Sequence, residues 1–315
     1  MGTLDPVVLF FVLGAVAGLL RSDLRLPSAV YDFVTMLLLL AIGLKGGVEL
    51  SRQPLLTLAP QMLAVVAMGL LLPLLAYPVL YFAGKLSRPD AASIAAHYGS
   101  VSVGTYAVVA AYLTSRQVAY EEYMPVFVVL LEMPAIVVGI LLARGGRSQL
   151  QWGVLAREIF LGKGIVLLTG GLLIGWVAGA DGIAPIGALF FDLFKGILAI
   201  FLLEMGLIAV SQLGDFRRSG AFLVAFSIFF PMLSAIIGGS LGWALGLSDG
   251  GIVVLATLAA SASYIAVPAA MRMAVPQASP SLSLGAALGV TFPFNILVGI
   301  PLYHAGVRLL LSPGG

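Results

Sequence analysis

The chain has 315 residues, of which 61% are hydrophobic and 10% are charged, with a formal net charge of +2 and a mean hydropathy of +1.11. This composition excludes a soluble domain and predicts an all-α polytopic membrane protein. The sequence contains no cysteine, which excludes disulfides and thiolate metal sites, and its two histidines leave little for a metal cluster. We therefore expect no cofactor, and the sequence offers no evident binding site for nucleic acid.

Apolar windows of about 20 residues predict ten membrane spans. The first five lie near residues 6–20, 30–47, 58–83, 90–113 and 119–143, and the second five near 162–179, 186–210, 219–246, 250–273 and 283–310. The first window has no basic segment before it, so we interpret it as a span and not as a cleaved signal peptide.

These spans divide the chain into a first repeat, residues 1–143, a connector, residues 144–161, and a second repeat, residues 162–315. The connector begins with Arg144 and contains Trp152 in an amphipathic segment, which predicts a position at the membrane surface.

The fourth span carries polar residues at a depth where such groups are costly, among them His97, Ser100 and Ser102. Gly99 and Gly104 flank the serines, which predicts a helix that breaks and restarts, leaving free amides and carbonyls. Residues 260–264 of the ninth span repeat residues 99–103. For either run alone, small residues serving close helix packing remain an alternative.

Two further matches extend this repeat. Residues 14–18 match residues 175–179, and Asp32 precedes Gly46 by the same interval that separates Asp192 from Gly206. With five spans in each repeat, the second copy enters the membrane from the opposite side. The sequence therefore predicts two inverted five-helix repeats with discontinuous crossing helices, which is typical of secondary transporters.

Basic residues predict the orientation of the chain. With ten spans and both termini outside, the inner side collects Arg21, Arg25, Lys85, Arg88, Arg144, Arg147, Arg157, Lys163, Arg217, Arg218 and Arg272. The outer side receives Lys45, Arg52, Arg116 and Arg308. This asymmetry favours a connector in the cytoplasm.

The two breaks predict a site for a small anion, because two half-helix N-termini would present free amides and partial positive charge. We expect Ser102 and Ser263 to cap these half-helices. The residues predicted to contact the anion are Gly99, Ser100, Val101, Ser102, Gly104, Thr105, Ser261, Ala262 and Ser263.

The opposite half-helix ends predict a sodium site. Free carbonyls near Tyr98 and Ala259 suit a hard cation. Glu132, two residues before Pro134, and Asn295 lie in the spans that follow the broken helices, and we expect their oxygens to complete the sodium shell. A structural hydrogen-bonding role is the alternative for both.

Other acidic residues lie within or at the ends of spans. Spacing predicts helical ion pairs between Asp192 and Lys195 and between Lys45 and Glu49. The roles of Asp32 and Glu204 stay open, with hydrogen bonding or a position at the membrane surface as the structural interpretation.

An intramembrane hydrolase with His97 activating a serine is disfavoured. No acid is evident to orient the imidazole, and the second serine run lacks a histidine.

Three motifs together resemble the sodium-dependent bicarbonate transporters of the cyanobacterial high-affinity type. They are residues 97–102, residues 259–266, and residues 280–285 followed by 289–295. The likeness runs over nearly the whole chain. It implies a mobile core domain carrying the crossing helices, a gate domain, and elevator-like movement between them. It also implies a homotrimer in the plasma membrane, which in a bacterium is the inner membrane, with lipid around it.

The resemblance further implies bicarbonate import by sodium symport, and control by a cytoplasmic PII-like protein. The connector is shorter than in the family's cyanobacterial members, so the resemblance supports the PII-like partner less well than it supports transport. The alternatives that the residues leave open are a symporter of another small organic or inorganic anion, a cation/proton antiporter, and a membrane receptor that binds without flux.

Overall fold

The structure is a computed structural model and describes residues 5–145, 153, 157, 160–216 and 220–311. All regular elements in these residues are helical. The α-helices are α1 (Pro6–Leu19), α2 (Ser28–Ser51), α3 (Leu55–Pro78), α4 (Arg88–Gly99), α5 (Val103–Ser115), α6 (Met124–Leu131), α7 (Pro134–Arg144), α8 (Lys163–Ile183), α9 (Phe194–Phe216), α10 (Ala221–Ala244), α11 (Asp249–Ala259), α12 (Ala266–Ala274), α13 (Pro280–Leu284), α14 (Phe292–Phe294) and α15 (Ile300–Leu311). Most of the predicted connector lies outside the described residues.

Seven helical stretches in the described residues are long and apolar enough to cross a membrane. They are Ser28–Ser51, Leu56–Ala83, Met124–Arg144, Lys163–Ile186, Phe194–Leu213, Ala221–Ala244 and Pro280–Leu310. Each overlaps one predicted span. The other three predicted spans contain shorter helices, namely α1 and the interrupted pairs α4–α5 and α11–α12. The chain is thus an α-helical, multi-pass membrane protein.

Glycines bring four of the helices into close contact in two pairs, α1 with α9 and α2 with α8. A Cβ at Gly14 would overlap the Leu203 carbonyl oxygen, and one at Gly206 would overlap the Phe11 carbonyl oxygen. Gly47 and Gly175 make the corresponding close approach between α2 and α8. Three glycines of the internal repeat, Gly14, Gly175 and Gly206, therefore serve helix packing, which lets the backbones approach closely.

The other helices surround the two interrupted pairs. The first half-helix of one pair, α4, packs on α3 and α7, and α11 of the other pair packs on α10 and α15. In the described part of the chain four π-helical turns, Val79–Ala83, Ala188–Asp192, Gly285–Thr291 and Asn295–Gly299, widen helices locally. Such turns rearrange backbone hydrogen bonds, and two of them lie in the last span beside the crossing.

The structure corrects both predicted helical ion pairs. Glu49 pairs at 2.8 Å with Arg52, the residue directly after α2, and not with Lys45. Among the described residues Lys195 has no carboxylate within ion-pair distance. The physical reason is that Asp192 ends a π-helical turn before α9 begins, so Asp192 and Lys195 do not share one regular helix.

The two acids whose roles the sequence left open have structural partners. Asp32 accepts a hydrogen bond from Lys163 at 2.9 Å and so ties α2 to the start of α8. Glu204 accepts one from the Leu26 amide at 3.1 Å, which holds the α1–α2 loop against α9. Both interactions join the first half of the chain to the second.

Candidate functional site

The first break separates α4 from α5. Ser100 and Ser102 have extended backbones, with φ and ψ of −96° and 177° for Ser100 and of −108° and 113° for Ser102. The Ser102 hydroxyl oxygen accepts a hydrogen bond from the Thr105 amide at 3.0 Å and another from the Thr105 hydroxyl at 2.9 Å. Ser102 is therefore the N-cap of α5, as the sequence predicts.

The second break is longer than the first. After α11 ends at Ala259 the chain is irregular up to Ile265, and α12 begins at Ala266. The prediction that Ser263 caps the second half-helix is wrong, since the N-cap is Ile265 and no side chain caps it. The Ser263 amide instead donates to the His97 carbonyl at 2.8 Å, which holds this segment beside the end of α4.

The two breaks contact each other directly. The Ser102 amide donates to the Ser261 hydroxyl oxygen at 3.0 Å, and the Ser261 hydroxyl donates to the Leu258 carbonyl at 2.8 Å. With the bond from Ser263 to His97, these contacts join the two interrupted helices at one buried point. The expected meeting of the two serine runs is present in the structure.

Several anion-binding groups remain free at this crossing. The Ser102 cap satisfies the Thr105 amide, which leaves the amides of Val103 and Gly104, in the first turn of α5, without intrahelical partners. The Gly104 amide faces the Tyr264 hydroxyl. Among the described residues the Ser263 hydroxyl has no hydrogen-bond partner. These groups, at the positive end of α5, can bind a small anion without a cationic side chain.

The remaining predicted anion ligands have different surroundings. Val101 and Ala262 lie in the two breaks and are buried. Gly99 packs so tightly that a Cβ there would overlap Pro73, and the Ser100 hydroxyl donates to the Glu132 carbonyl at 3.2 Å. Gly99 and Ser100 therefore position α4 against neighbouring helices.

Two backbone carbonyls at the crossing are free to bind a cation. At the end of α4, the Ala96 carbonyl accepts from Ser100 and the His97 carbonyl accepts from Ser263. No hydrogen bond within the described residues reaches the carbonyl oxygens of Tyr98 or Ala259, the two that the sequence predicts as sodium ligands. Each lies at the negative end of a half-helix, which favours a cation.

Glu132 and Asn295 each bond to one break. Glu132 follows α6 immediately, and its carbonyl accepts from Ser100, while its side-chain oxygen Oε2 is buried with no hydrogen-bond partner. The Asn295 amide donates to the Ala260 carbonyl at 2.8 Å, and its Oδ1 accepts from the Tyr303 hydroxyl at 2.9 Å. Glu132 thus has a free ligand oxygen, whereas Asn295 already braces the second break.

The sequence reasoning missed Tyr264. Its buried hydroxyl lies so close to Gly104 that a Cβ there would overlap it, and it interacts with the Gly104 amide and the Ser102 side chain. The aromatic residue directly after Ser263 was the available signal. His97 keeps a buried nitrogen, Nε2, without a partner, while its Nδ1 bonds to the Ser93 carbonyl at 2.7 Å.

Interrupted helices that meet inside a bundle of apolar helices define a membrane transport protein, because irregular backbone at this depth is tolerated only where it is enclosed by protein or lines a cavity. The chain belongs to the Na⁺-dependent bicarbonate transporter superfamily, whose family model matches residues 6–308. It is therefore a transporter and not an enzyme, and its family implies bicarbonate and sodium as substrates. A search of curated proteins finds no match to the chain.

Proposed function

We propose that this protein imports bicarbonate by sodium symport, with sodium and bicarbonate bound beside each other at the crossing. The observation that carries the proposal is the contact between the two breaks, Ser102 to Ser261 and Ser263 to His97. It brings the positive end of α5 beside the negative ends of α4 and α11. A cation bound near Tyr98, Ala259 and Glu132 would offset the charge of the anion, so each ion would strengthen binding of the other.

The proposed architecture is ten spans in two inverted repeats, residues 1–143 and 162–315, joined by residues 144–161. The helix pairs support it. The repeat relates α1 to α8 and α2 to α9, so the contact of α1 with α9 corresponds to the contact of α8 with α2. Two hydrogen bonds between the halves of the chain support it as well. Asp90, in the first turn of α4, accepts from the Ser279 amide at 2.7 Å, and Glu121, before α6, accepts from the Ser248 amide at 2.6 Å.

We assign α1, α2, α8 and α9 to a gate domain and the crossing helices with their neighbours to a core domain. Elevator-like movement of the core against the gate would expose the site to each side in turn. The close glycine contacts within the gate support a rigid unit. We further propose a homotrimer in the plasma membrane, with both termini outside and the connector available to a PII-like protein in the cytoplasm.

The experiment is uptake of labelled bicarbonate by proteoliposomes that contain the purified protein. We expect an inward sodium gradient to accelerate uptake over an equal potassium gradient. Uptake that ignores sodium would contradict symport. Uptake of a carboxylate that bicarbonate does not inhibit would contradict the substrate, and saturable binding without flux would indicate a receptor.

A further inference from the structure

A second charged feature lies away from the crossing. A cleft of about 510 Å³ is lined by residues of α2, of α5 and the loop after it, of the start of α6, of the end of α8, and of the turns before α9 and the start of α9. Lys45, Arg52 and Lys195 line this cleft, together with the acid Glu49. We name it the basic cleft.

The positive charge of the basic cleft is concentrated on its two lysines. Arg52 and Glu49 pair at 2.8 Å and offset each other. Glu122 does not line the cleft, but it interacts electrostatically with Glu49 and so adds negative charge at the Glu49 end. Lys45 and Lys195 have no carboxylate within ion-pair distance among the described residues. Lys45 is half-buried between helices, where an ammonium without a counter-charge raises the free energy of the folded protein. A bound anion would offset that cost.

The basic cleft leads toward the crossing. Tyr106 and Ala110 on α5 line it, and the Tyr106 amide donates to the Ser102 carbonyl at 3.0 Å. The wall of the cleft is therefore one helical turn from the first break. A cleft with positive charge between low-dielectric walls concentrates small anions and raises the rate at which they associate.

We propose that the basic cleft is the anion-loading route, in which Lys45 and Lys195 capture a small oxyanion and deliver it to the amides at the crossing. This inference rests on the proposed function for its substrate. In the proposed orientation the cleft opens outward, since Lys45 and Arg52 lie at the outer end of α2. The cleft and the crossing have different roles. The lysines of the cleft attract the anion over a distance, which needs full charges, and the crossing binds it through amides and hydroxyls.

The first experiment measures anion attraction without transport. Thr114 is exposed and lines the cleft, and the chain contains no cysteine, so Thr114→Cys gives a single reactive thiol. We compare its rates of modification by sulfonatoethyl and trimethylammonioethyl methanethiosulfonate, both impermeant. We expect Lys45→Gln and Lys195→Gln each to lower the anionic-to-cationic rate ratio about two- to fivefold at low ionic strength.

The matched control is Lys85→Gln, which removes the same charge from an exposed residue outside the cleft, on the predicted inner side, and should leave the ratio unchanged. Lys45→Arg keeps the charge and should preserve the ratio. Lys195 is exposed, so loss of folding does not confound its variant. An unchanged ratio in both glutamine variants overturns the inference.

The second experiment measures loading. In the uptake assay both glutamine variants should raise the KM for bicarbonate several-fold with an unchanged maximal rate, and high salt should shrink the difference. An unchanged KM in both overturns the loading role even where the reagent ratio falls. A wild-type protein without bicarbonate flux refutes the proposed function instead, and the reagent ratio alone then decides whether the cleft attracts anions.

Discussion

The carboxylate of Glu132 has one oxygen that is buried without a hydrogen-bond partner, at the point where α6 ends. A buried carboxylate in this condition requires a proton or a cation nearby. The free carbonyls of Tyr98 and Ala259 also lie at the crossing. The three oxygens differ in kind, since the carbonyls are dipoles and the carboxylate can carry a full charge.

We predict that Glu132→Gln raises the sodium concentration for half-maximal uptake about tenfold, or about 1.4 kcal/mol. Glutamine keeps the size of the side chain and removes the charge, which should dominate affinity for a monovalent cation. The measurement is the sodium dependence of bicarbonate uptake, and saturating sodium should restore much of the bicarbonate affinity.

Asn295→Ala is the matched comparison. Asn295 already donates to Ala260 and accepts from Tyr303, so its loss should change sodium dependence less than the loss of the Glu132 charge. If Glu132→Gln lowers only the yield of protein and leaves sodium dependence unchanged, Glu132 is structural and the sodium site lies elsewhere.

The sequence predicts some of these residues and not others. Ser102 is recognisable because Gly99 and Gly104 mark a helix break, and serine is a favoured N-cap residue where a helix restarts. The bonds from Ser102 to Ser261 and from Ser263 to His97 join residues about 160 positions apart, and no local rule predicts them. Ser263 does not cap α12 because the helix begins only at Ala266, with Ile265 at the N-cap position.

The spans are more predictable than the contacts within them. Hydropathy alone locates the long helices, since each needs an apolar run of membrane length. The start of α12, three residues after Ser263, and the π-helical turns Gly285–Thr291 and Asn295–Gly299 depend on packing at the crossing, and hydropathy carries no information on them. The glycine matches predicted a repeat, and the structure adds that Gly14, Gly175 and Gly206 form close helix contacts.

Helix α8 offers a matched test of those contacts. A Cβ at Gly175 would overlap the Leu44 carbonyl and lie 3.0 Å from the Val48 nitrogen, whereas one at Gly170 meets nothing within 4 Å. We predict that Gly175→Ala destabilises the protein by about 1–3 kcal/mol. Gly170→Ala should be neutral or stabilising by up to about 1 kcal/mol, because alanine favours the helix.

Thermal unfolding in detergent measures both variants. The expected result is a lower midpoint for Gly175→Ala than for wild type and no loss for Gly170→Ala. Equal midpoints would show that the α2–α8 contact yields without cost, and the assignment of these helices to a rigid gate domain would then lose its support.

At the scale of the whole molecule, two basic residues lie at the same end of the helix bundle and are held there by hydrogen bonds. Arg88, at the start of α4, donates to the Leu142 carbonyl at 2.8 Å, and Arg144 donates to the Ala274 carbonyl at 2.7 Å. The start of α4 and the ends of α7 and α12 therefore lie together. These are ends that the sequence assigns to the inner side, and positive charge there favours retention in the cytoplasm.

Orientation can be tested because the chain contains no cysteine. We predict that single cysteines at Gly2 and Gly146 react with impermeant reagent from opposite sides of the membrane, Gly2 from outside and Gly146 only after the cell is opened. An odd number of spans between the two positions requires this result, and five are proposed. Thr114→Cys, on the predicted outer side, and Lys85→Cys, on the inner, calibrate the two compartments. Labelling of Gly2→Cys and Gly146→Cys from the same side would refute the five-span repeat. Labelling of Gly2→Cys from inside and of Gly146→Cys from outside would agree with the repeat but reverse the orientation. The basic cleft would then open to the cytoplasm.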